Sequence, residues 1–431
     1  MRVHGARQVV LLLVGLTAAR PAAAVQPLAV FLRSAHTYSA DNSEARANRA
    51  QAKAEAEVAR GRLLPGIALR GSYVRNQYET AVLFPEPAGP VEITITPQDQ
   101  FTGSATLNVP LVDLSSFARA AAARAAAQAS EAQALATALS TESQVAQDYY
   151  QLLADLALVA ASRQAVDVAR ESLRVAEERK AAGTAALLDV DRARAEVESD
   201  VQQLAAADLQ VSIVARALES LSGVAPAIEG SGELVDDLHP EAPAETFETP
   251  DEKIPSVLSA EQSSLSAEEQ ARGERYTLLP TLSGSITEQA TNASGFVGHD
   301  AQWQATLGLS WSFDFTTAPG IRSQDAAAEA ARARLLRARL AARDAIHNAW
   351  STVATEIERS RSARIQAGVS AEASQQALER YEAGAVSQLD LLQAQRDAFA
   401  AQASRIQADA NLINARAQLR IASGTSLVDS D

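Results

Sequence analysis

The chain of 431 residues contains no cysteine and only one methionine, the initiator. Without cysteine it forms no disulfide, offers no thiolate to a metal and has no cysteine to carry an N-terminal acyl group. Aromatic residues make up only 4% of the chain, while alanine fills long stretches between glutamine, arginine, aspartate and glutamate. This composition argues against compact globules and is typical of long helices packed closely side by side.

Sequence motifs that would indicate catalysis are also missing. The four histidines beyond residue 24 are scattered, without the i, i+4 spacing of a helical zinc site: His36, His239, His299 and His347. There is no G-x-x-x-x-G-K-[ST] for a nucleotide phosphate and no G-x-S-x-G around a nucleophile. The formal charge of −15 argues against nucleic acid as a partner, because phosphate binding requires clustered lysine and arginine. We therefore predict that the protein is not an enzyme and has no cofactor or metal site.

Residues 1–24 have the layout of a signal peptide. Arg2 and Arg7 precede the apolar run "VVLLLVGL" (9–16), and "PAAA" (21–24) supplies small residues for cleavage before Val25. A buried apolar helix is the alternative interpretation. Beyond residue 24 no apolar run approaches the ~20 residues that a membrane-spanning helix requires. We therefore expect an exported chain without a transmembrane helix.

The chain repeats itself at a nearly constant offset. The segment "ERKAAGTAALLDV" (178–190) returns 201 positions later as "ERYEAGAVSQLDL" (379–391), and "VPLVD" (109–113) returns as "WSFD" (311–314) with the aspartates at the same offset. Such self-similarity indicates two copies of one structural unit. The predicted parts of the mature chain are a first repeat (25–223), an acidic, proline-rich linker (224–255), a second repeat (256–424) and a C-terminal tail (425–431).

Each repeat is predicted to contain a long helix and a shorter one, joined by a tight tip. The long helix, tip and shorter helix are 115–182, 183–188 and 188–222 in the first repeat, and 320–383, 384–388 and 389–423 in the second. Gly183 and Gly384 can end the long helices in the left-handed conformation, which glycine adopts without steric penalty. Apolar residues recur every seven positions in 188–222, which is the pattern of a coiled coil. Another helix, roughly 28–62, precedes the first strand.

Four segments alternate between apolar and polar residues, as strands with two different faces do, and the alternation is less sharp over 66–76 and 281–289. They are predicted at about 65–79, 100–112, 279–290 and 301–315, and the proline-rich segment 81–99 is predicted to be a loop. Their length fits tilted transmembrane strands, with four aromatic side chains at the membrane interface: Trp303, Trp311, Phe101 and Tyr73. Half-buried strands of a soluble sheet are the alternative.

Four strands per chain cannot close a barrel. An open sheet edge cannot sit in lipid, because its amides would have no hydrogen-bond partners. If these strands span a membrane, several chains must share one barrel, and three copies give twelve strands, an even number within the outer-membrane range. The same symmetry would gather the helices into a second, α-helical tube. A soluble periplasmic coiled-coil scaffold or adaptor is the alternative function.

The region of about 30–424 resembles the TolC-like outer-membrane channels of tripartite efflux and type I secretion systems. The resemblance lies in the duplicated helix–strand–strand–helix–helix order, the strand ends "PLVD" and "SFD", and the two "G…LD" tips. It implies a mainly α fold with membrane β: a homotrimer whose 12-stranded β-barrel in outer-membrane lipid continues into a periplasmic α-barrel. It also implies a passive exit duct that docks a periplasmic adaptor and an inner-membrane RND or ABC transporter.

By the same resemblance the two tips form the periplasmic entrance, and their turn residues would contact the adaptor: Gly183, Thr184, Ala185, Gly384, Ala385 and Val386. Tyr381 matches the tyrosine that closes the TolC entrance through hydrogen bonds. Asp189 matches its aspartate partner, and Asp390 matches an acidic ring at the constriction. The chain departs from TolC at Val386, the position of the gate arginine, and at Gln393, a second acidic position. We therefore expect weaker latching and milder block by cations.

The same residues also have structural interpretations. Asp189 and Asp390 fall in the first turn of a predicted helix, where the helix dipole favours a carboxylate, and Ser387 with Asp390 matches the S-x-x-D capping box. Tyr381 would then be an ordinary packing residue between helices. The linker 224–255 is either solvated or, by the resemblance, part of a belt around the middle of the helical tube. The final residues, 426–431, are expected to fray.

Overall fold

The computed structural model describes residues 25–86, 89–228, 234, 236–295 and 298–428. The predicted signal peptide, residues 1–24, lies outside the described part of the chain. The helices are α1 Leu28–Tyr38, α2 Ala40–Gly61, α3 Leu114–Ala181, α4 Leu187–Ser222, α5 Pro255–Tyr276, α6 Thr317–Glu382 and α7 Gln388–Ala422. The strands are β1 Gly66–Arg75, β2 Thr80–Glu86, β3 Gly89–Thr96, β4 Asp99–Val112, β5 Thr281–Thr291 and β6 Ala301–Ser310.

The two long helices, α3 and α6, contain 68 and 66 residues, so each extends for ~100 Å. At the start of α3, Asp113 accepts a hydrogen bond from the Ser116 amide at 3.0 Å and so satisfies one of the free N–H groups of the first turn. Helix α6 begins at Thr317, earlier than the predicted 320. Pro319 lies in its first turn, where the missing N–H and fixed φ of proline are tolerated.

The predicted helix over 28–62 is broken into α1 and α2 at Ser39. This residue has φ −53° and ψ 132°, and its hydroxyl accepts a hydrogen bond from the Asn42 amide at 3.5 Å, so it caps α2. The break lets α1 pack its apolar side chains against α3. Phe31 and Leu32 are fully buried there, and the Phe31 ring lies 5.8 Å from the ring of Tyr149.

The shorter helices pack along the long ones. Helices α2 and α4 lie along α3, α5 and α7 lie along α6, and α3 also contacts α5 and α7. The helical layer therefore has the order α2–α3–α5–α6 near the strands and α4–α3–α7–α6 near the tips. Helices α2 and α4 together contain 58 residues (22 and 36) against 68 in α3, and α5 and α7 together contain 57 (22 and 35) against 66 in α6, so two shorter helices end to end cover most of one long helix.

Four strands form one antiparallel sheet in the order β1–β4–β5–β6. Strand β6 ends at Ser310 rather than at the predicted 315. Its partner β5 begins at Thr281, which pairs with Ser310, so the alternating residues after Ser310 have no β5 residue beside them. Strand β1 likewise ends at Arg75, before the predicted 79.

Residues 81–99 contain a hairpin where the sequence predicts a loop. Strands β2 and β3 pair with each other in a separate two-stranded sheet, with Val82 opposite Ile93. The described chain thus has six strands rather than four. Pro85 and Pro90 lie opposite each other near the end of this hairpin, where a missing backbone donor is tolerated. These prolines obscured the alternation of "VEITIT" (91–96).

The described middle of the linker, residues 236–242, packs against α6 and α7. The Arg416 guanidinium donates from Nε to Asp236 Oδ2 at 2.9 Å and also pairs with Glu241. Arg364 donates to the Asp236 carbonyl oxygen at 2.9 Å. Trp350 Nε1 donates to a linker carbonyl oxygen at the same distance. These contacts show that this part of the linker is packed rather than simply solvated, and its place in a belt around the helical tube stays a prediction.

The C-terminal tail is held at the middle of the helical layer. Glu142 of α3 is only 2% exposed and accepts hydrogen bonds from Ser426 Oγ at 2.9 Å and from the Leu427 amide at 2.8 Å. It also pairs with His36 of α1 at 2.8 Å. A buried carboxylate requires such donors, because an unpaired charge away from water is costly. The expectation that the final residues fray is therefore wrong over residues 426–428, and residues 429–431 are not described.

Candidate functional site at the helix–turn–helix tips

The two tips have the same backbone geometry. After α3, Gly183 has φ 76°, its amide donates to the Lys180 carbonyl at 2.9 Å, and the Thr184 amide donates to the Arg179 carbonyl at 2.9 Å. After α6, Gly384 also has φ 76°, and Gly384 and Ala385 make the matching pair of hydrogen bonds. Both ends are Schellman turns, which use the left-handed conformation of glycine to satisfy the last helical carbonyls.

The residues that follow each glycine begin the next helix, with a difference between the repeats. In the second tip the Asp390 amide donates to Ser387 Oγ at 3.3 Å while the Ser387 amide donates to Asp390 Oδ2 at 3.1 Å, which is a complete capping box. In the first tip the Ala186 amide donates to Asp189 Oδ2 at 3.3 Å. The methyl side chain of Ala186 cannot accept a hydrogen bond from the Asp189 amide, so this box is only half formed. Hydrogen bonds from the Ser387 hydroxyl and amide lower the pKa of the Asp390 carboxyl.

This difference gives a matched pair of variants. Ser387→Ala should destabilise the start of α7 by about 1 kcal/mol, and Ala186→Ser should stabilise the start of α4 by a similar amount. Amide hydrogen exchange over 388–391 and 187–190 measures both effects. The pKa of Asp390 is lower in the folded state than in the unfolded state. Its contribution to the stability of the α7 start is therefore present above the unfolded pKa and is lost as pH falls through the folded pKa. Equal protection of the two helix starts in the wild type would contradict this prediction.

A contact between Arg179 and Tyr381 joins the two hairpins just inside the tips. The Tyr381 side chain is 4% exposed and packs against Val175 and Leu391. The Arg179 guanidinium lies over its ring, 4.6 Å from the centroid, and Arg179 Nη1 also donates to the Tyr381 carbonyl oxygen. The guanidinium is a cation above the aromatic ring, and it also donates a charged hydrogen bond to a backbone carbonyl. Together these two contacts hold α6 against α3 at this end.

The gate pair expected from the resemblance is close but is not hydrogen-bonded in the single chain. The Tyr381 hydroxyl is buried and has no hydrogen-bond partner among the described residues. Burial raises the pKa of this hydroxyl, the Arg179 charge opposes the rise, and the Asp189 charge adds to it. Asp189 itself accepts the Ala186 amide and lies 3.9 Å from Arg192. Their roles in a gate stay predictions.

Two further contacts between the hairpins were not found from the sequence. Gln395 Nε2 donates to Ser172 Oγ at 2.7 Å, and Arg396 Nε donates to Glu196 Oε1 at 2.7 Å. Glu196 is 4% exposed, so this carboxylate depends on the arginine. The sequence shows these residues only as members of polar helix faces. Their meeting depends on which faces of α3, α4 and α7 pack together.

The four aromatic residues predicted at a membrane interface lie on or beside the larger sheet. Tyr73 and Phe101 are opposite each other on β1 and β4, with ring centroids 5.0 Å apart. Trp303 lies on β6 and is 72% exposed. Trp311 follows β6, is 71% exposed, and its Nε1 donates to the Leu278 carbonyl at 3.1 Å. Their interface role stays a prediction.

One group of carboxylate and imidazole side chains in the described chain has the spacing of a metal site: Asp236, Asp237 and His239. The group does not suit a cation, because the Arg416 guanidinium already occupies it. Arg416 contacts Asp236, and its Nη1 lies 3.0 Å from His239 Nε2. The cluster therefore fixes the linker to α7, as an ion-pair network.

The sequence matches a family model described as "Outer membrane efflux protein" over residues 32–224 and 252–425. The two matched segments cover both repeats and leave out most of the linker. The chain belongs to the outer membrane efflux protein family. The resemblance to TolC-like channels is thereby confirmed, and the protein is a member of a family of channels rather than of enzymes. No sequence among curated proteins matches the chain.

Solved structures of outer-membrane channels share this fold. VceC from Vibrio cholerae has a TM-score of 0.79 at 17% identity, over 93% of this chain and 97% of that chain. CmeC from Campylobacter jejuni has a TM-score of 0.78 at 18% identity, over 93% and 86%. The outer-membrane channel OprN has a TM-score of 0.77 at 22% identity, over 93% and 90%. The predicted combination of long helices with a small sheet is thereby confirmed. None of the described helices is long and apolar enough to cross a bilayer.

Proposed function

We propose that three copies of this efflux-family protein form one passive channel across the outer membrane. The observation that carries the proposal is an apolar sheet face that no described element covers. Its members are between 58% and 78% exposed: Ile67, Leu69, Phe101, Trp303, Leu307 and Leu309. A soluble sheet would bury such a face against helices, whereas a transmembrane sheet turns it toward lipid. Glu288 interrupts the face opposite Trp303.

The opposite face of the sheet suits a water-filled lumen. Thr106 and Thr287 hydroxyls are 3.1 Å apart across β4 and β5, and Thr102 and Thr291 hydroxyls are 3.3 Å apart. Glutamine and threonine continue this face on β6. The interior of a membrane barrel that conducts polar solutes is polar in the same way.

The sheet edges support a trimer. In the described sheet, β1 and β6 each pair on one side only, so two rows of backbone N–H and C=O groups remain open. Lipid cannot satisfy these groups, but β6 of one copy can pair with β1 of the next. Three copies then close twelve strands, and the helical layers continue as a periplasmic α-barrel.

The tips are proposed as the periplasmic entrance of a tripartite efflux or type I secretion system. Gly183, Thr184 and Ala185, with their counterparts Gly384–Val386, form the adaptor-facing turns, and an inner-membrane RND or ABC transporter supplies the substrate. Tyr381 and Asp189 belong to the gate. Arg179 is proposed to take part in closure, since Val386 stands where TolC has its gate arginine.

Fractionation of cells that express the full-length chain tests this function. We expect the protein in the outer membrane, extracted only by detergent, as a trimer that resists heating in dodecyl sulfate. Pores with a uniform single-channel conductance should appear when the trimer is added to a planar bilayer. A monomer in the soluble periplasmic fraction would instead support the coiled-coil scaffold.

An acidic ring at the entrance gives a separate prediction. Asp390→Asn removes the charge of each copy but keeps an oxygen that can accept the Ser387 amide. Block of the pore by a trivalent cation should weaken by at least about tenfold, because three charges are lost at one constriction. Asp397→Asn, on an exposed position of the same helix, serves as the control. If the blocking concentration is the same for both variants, Asp390 acts only as a helix cap.

A further inference from the structure

A cavity of about 660 Å³ lies between the two helical hairpins. Residues of α3, α4, α6 and α7 all line it, beginning at Leu378, less than two helical turns from the Gly384 tip. The Gln395–Ser172 and Arg396–Glu196 contacts cross between the hairpins at this level. Its volume is within the range of sites that bind small organic molecules.

Most of the cavity wall is apolar. Alanines of α3 and α6 form much of it, and their small side chains leave space between the helices. Val168, Leu378 and Phe399 add larger apolar groups, and Phe399 presents the only aromatic ring among the lining residues. A ligand that fills this space must therefore have an apolar body.

The charges that line the cavity do not balance. Arg396 is paired with Glu196, which leaves Asp200 as an additional carboxylate. Asp200 accepts a hydrogen bond only from Gln203 of its own helix among the described contacts. Burial raises the pKa of Asp200, as does the negative charge of Glu196, while Arg396 opposes the rise. The carboxylate therefore lacks a full counter-charge in this environment.

The side-chain amide of Gln395 adds a hydrogen-bond acceptor to the cavity. Gln395 uses its amide nitrogen on Ser172, while its buried Oε1 has no hydrogen-bond partner in the described structure. In a cavity that a carboxylate and an aromatic ring also line, an oxygen of this kind complements a positive charge. The second repeat does not duplicate the site. The equivalent of Asp200, 201 positions later, is Ala401, and the equivalent of Phe399, 201 positions earlier, is Glu198.

We propose that this cavity is a binding site for an organic monocation with an apolar body, held by Asp200 and Phe399. The ligand would contact both hairpins at once. This inference goes beyond the channel function, because it concerns the four helices of a single chain and does not require transport.

Two probes of equal shape and opposite charge test the proposal: tetraphenylphosphonium and tetraphenylborate. Each is titrated calorimetrically into the full-length protein in a nonionic detergent, with a detergent blank. We expect saturable binding of the phosphonium only. Asp200→Asn should weaken it about fivefold, and Phe399→Ala about tenfold, while Asp397→Asn, outside the cavity, should leave it unchanged.

Three outcomes would overturn the inference. Absence of saturable phosphonium binding would mean that the cavity takes no such ligand. Equal binding of the borate would show that charge plays no part. Phosphonium binding that neither Asp200→Asn nor Phe399→Ala weakens would place the ligand elsewhere. Helix content measured by circular dichroism verifies that Asp200→Asn and Phe399→Ala are folded, and Asp200→Glu, which keeps the charge, should bind within about twofold of the wild type.

Discussion

Replacing Leu307 by arginine is expected to stop the chain from assembling in the outer membrane. Leu307 lies in the central part of β6, on the apolar face, and is 70% exposed in the single chain. An arginine near the middle of the bilayer on the lipid face of a barrel costs about 2–4 kcal/mol. A trimer carries the substitution three times. The heat-resistant trimer in the outer-membrane fraction should therefore be lost.

The neighbouring residue provides a matched control. Thr306→Arg places the same side chain one position away, on the polar face, where Thr306 pairs with Ser285 of β5. In a water-filled lumen this arginine remains hydrated, so the trimer should form in amounts close to wild type. If both variants assemble equally well, the exposed apolar face does not meet lipid, and the proposed barrel is wrong.

Removing the Arg179 side chain is expected to open the proposed entrance. Arg179 donates to the Tyr381 carbonyl oxygen and covers the Tyr381 ring at 4.6 Å, and thus joins the ends of α3 and α6. A hydrogen bond from a charged donor together with a cation–π contact stabilises the joined state by about 2 kcal/mol. Its loss corresponds to a shift of about thirtyfold toward separated hairpins. Recordings from planar bilayers should show a larger open fraction for Arg179→Ala.

Arg194→Ala is the control for this prediction. Arg194 lies about two turns into α4 from the same tip and pairs with Glu177 of its own hairpin, at 3.7 Å. Its removal should leave the open fraction close to that of the wild type. Arg179→Lys retains the charge but not the geometry of the guanidinium, so it should give an intermediate value. An open fraction that is the same in all three variants would show that Arg179 does not hold the entrance closed.

The helical part of the fold could be predicted because its signals are local. Gly183 and Gly384 mark the ends of α3 and α6, and both adopt φ 76°. The constant offset between repeats predicted the second tip from the first. Two helix boundaries differ from the prediction, because the same residue type is compatible with more than one local structure. Pro319 can stand inside the first turn of a helix as well as before it, and Ser39 can break a helix that composition alone would continue.

The candidate site was predicted only in part. Tyr381, Asp189 and Asp390 could be placed beside the tips, and the Ser387–Asp390 capping box has the predicted geometry. Arg179 was missed because the repeat also places an arginine at 380, so the sequence does not distinguish which of the two reaches across. The cavity was missed for a related reason, since Asp200 and Phe399 stand on helices of different repeats.

The sequence by itself determined the duplicated order of helices and strands, the turns at the tips and the two-faced character of the strands. These features follow from the conformational preferences of single residues and from the spacing of apolar residues along one segment, which is two positions in the strands and seven in the coiled-coil helix. The tertiary structure alone decided which polar side chains meet: Glu142 with the tail, Arg179 with Tyr381, and Arg396 with Glu196. Such contacts depend on how helices rotate about their axes when they pack. Alanine-rich faces specify that rotation weakly until all the helices are assembled, because small side chains interlock little.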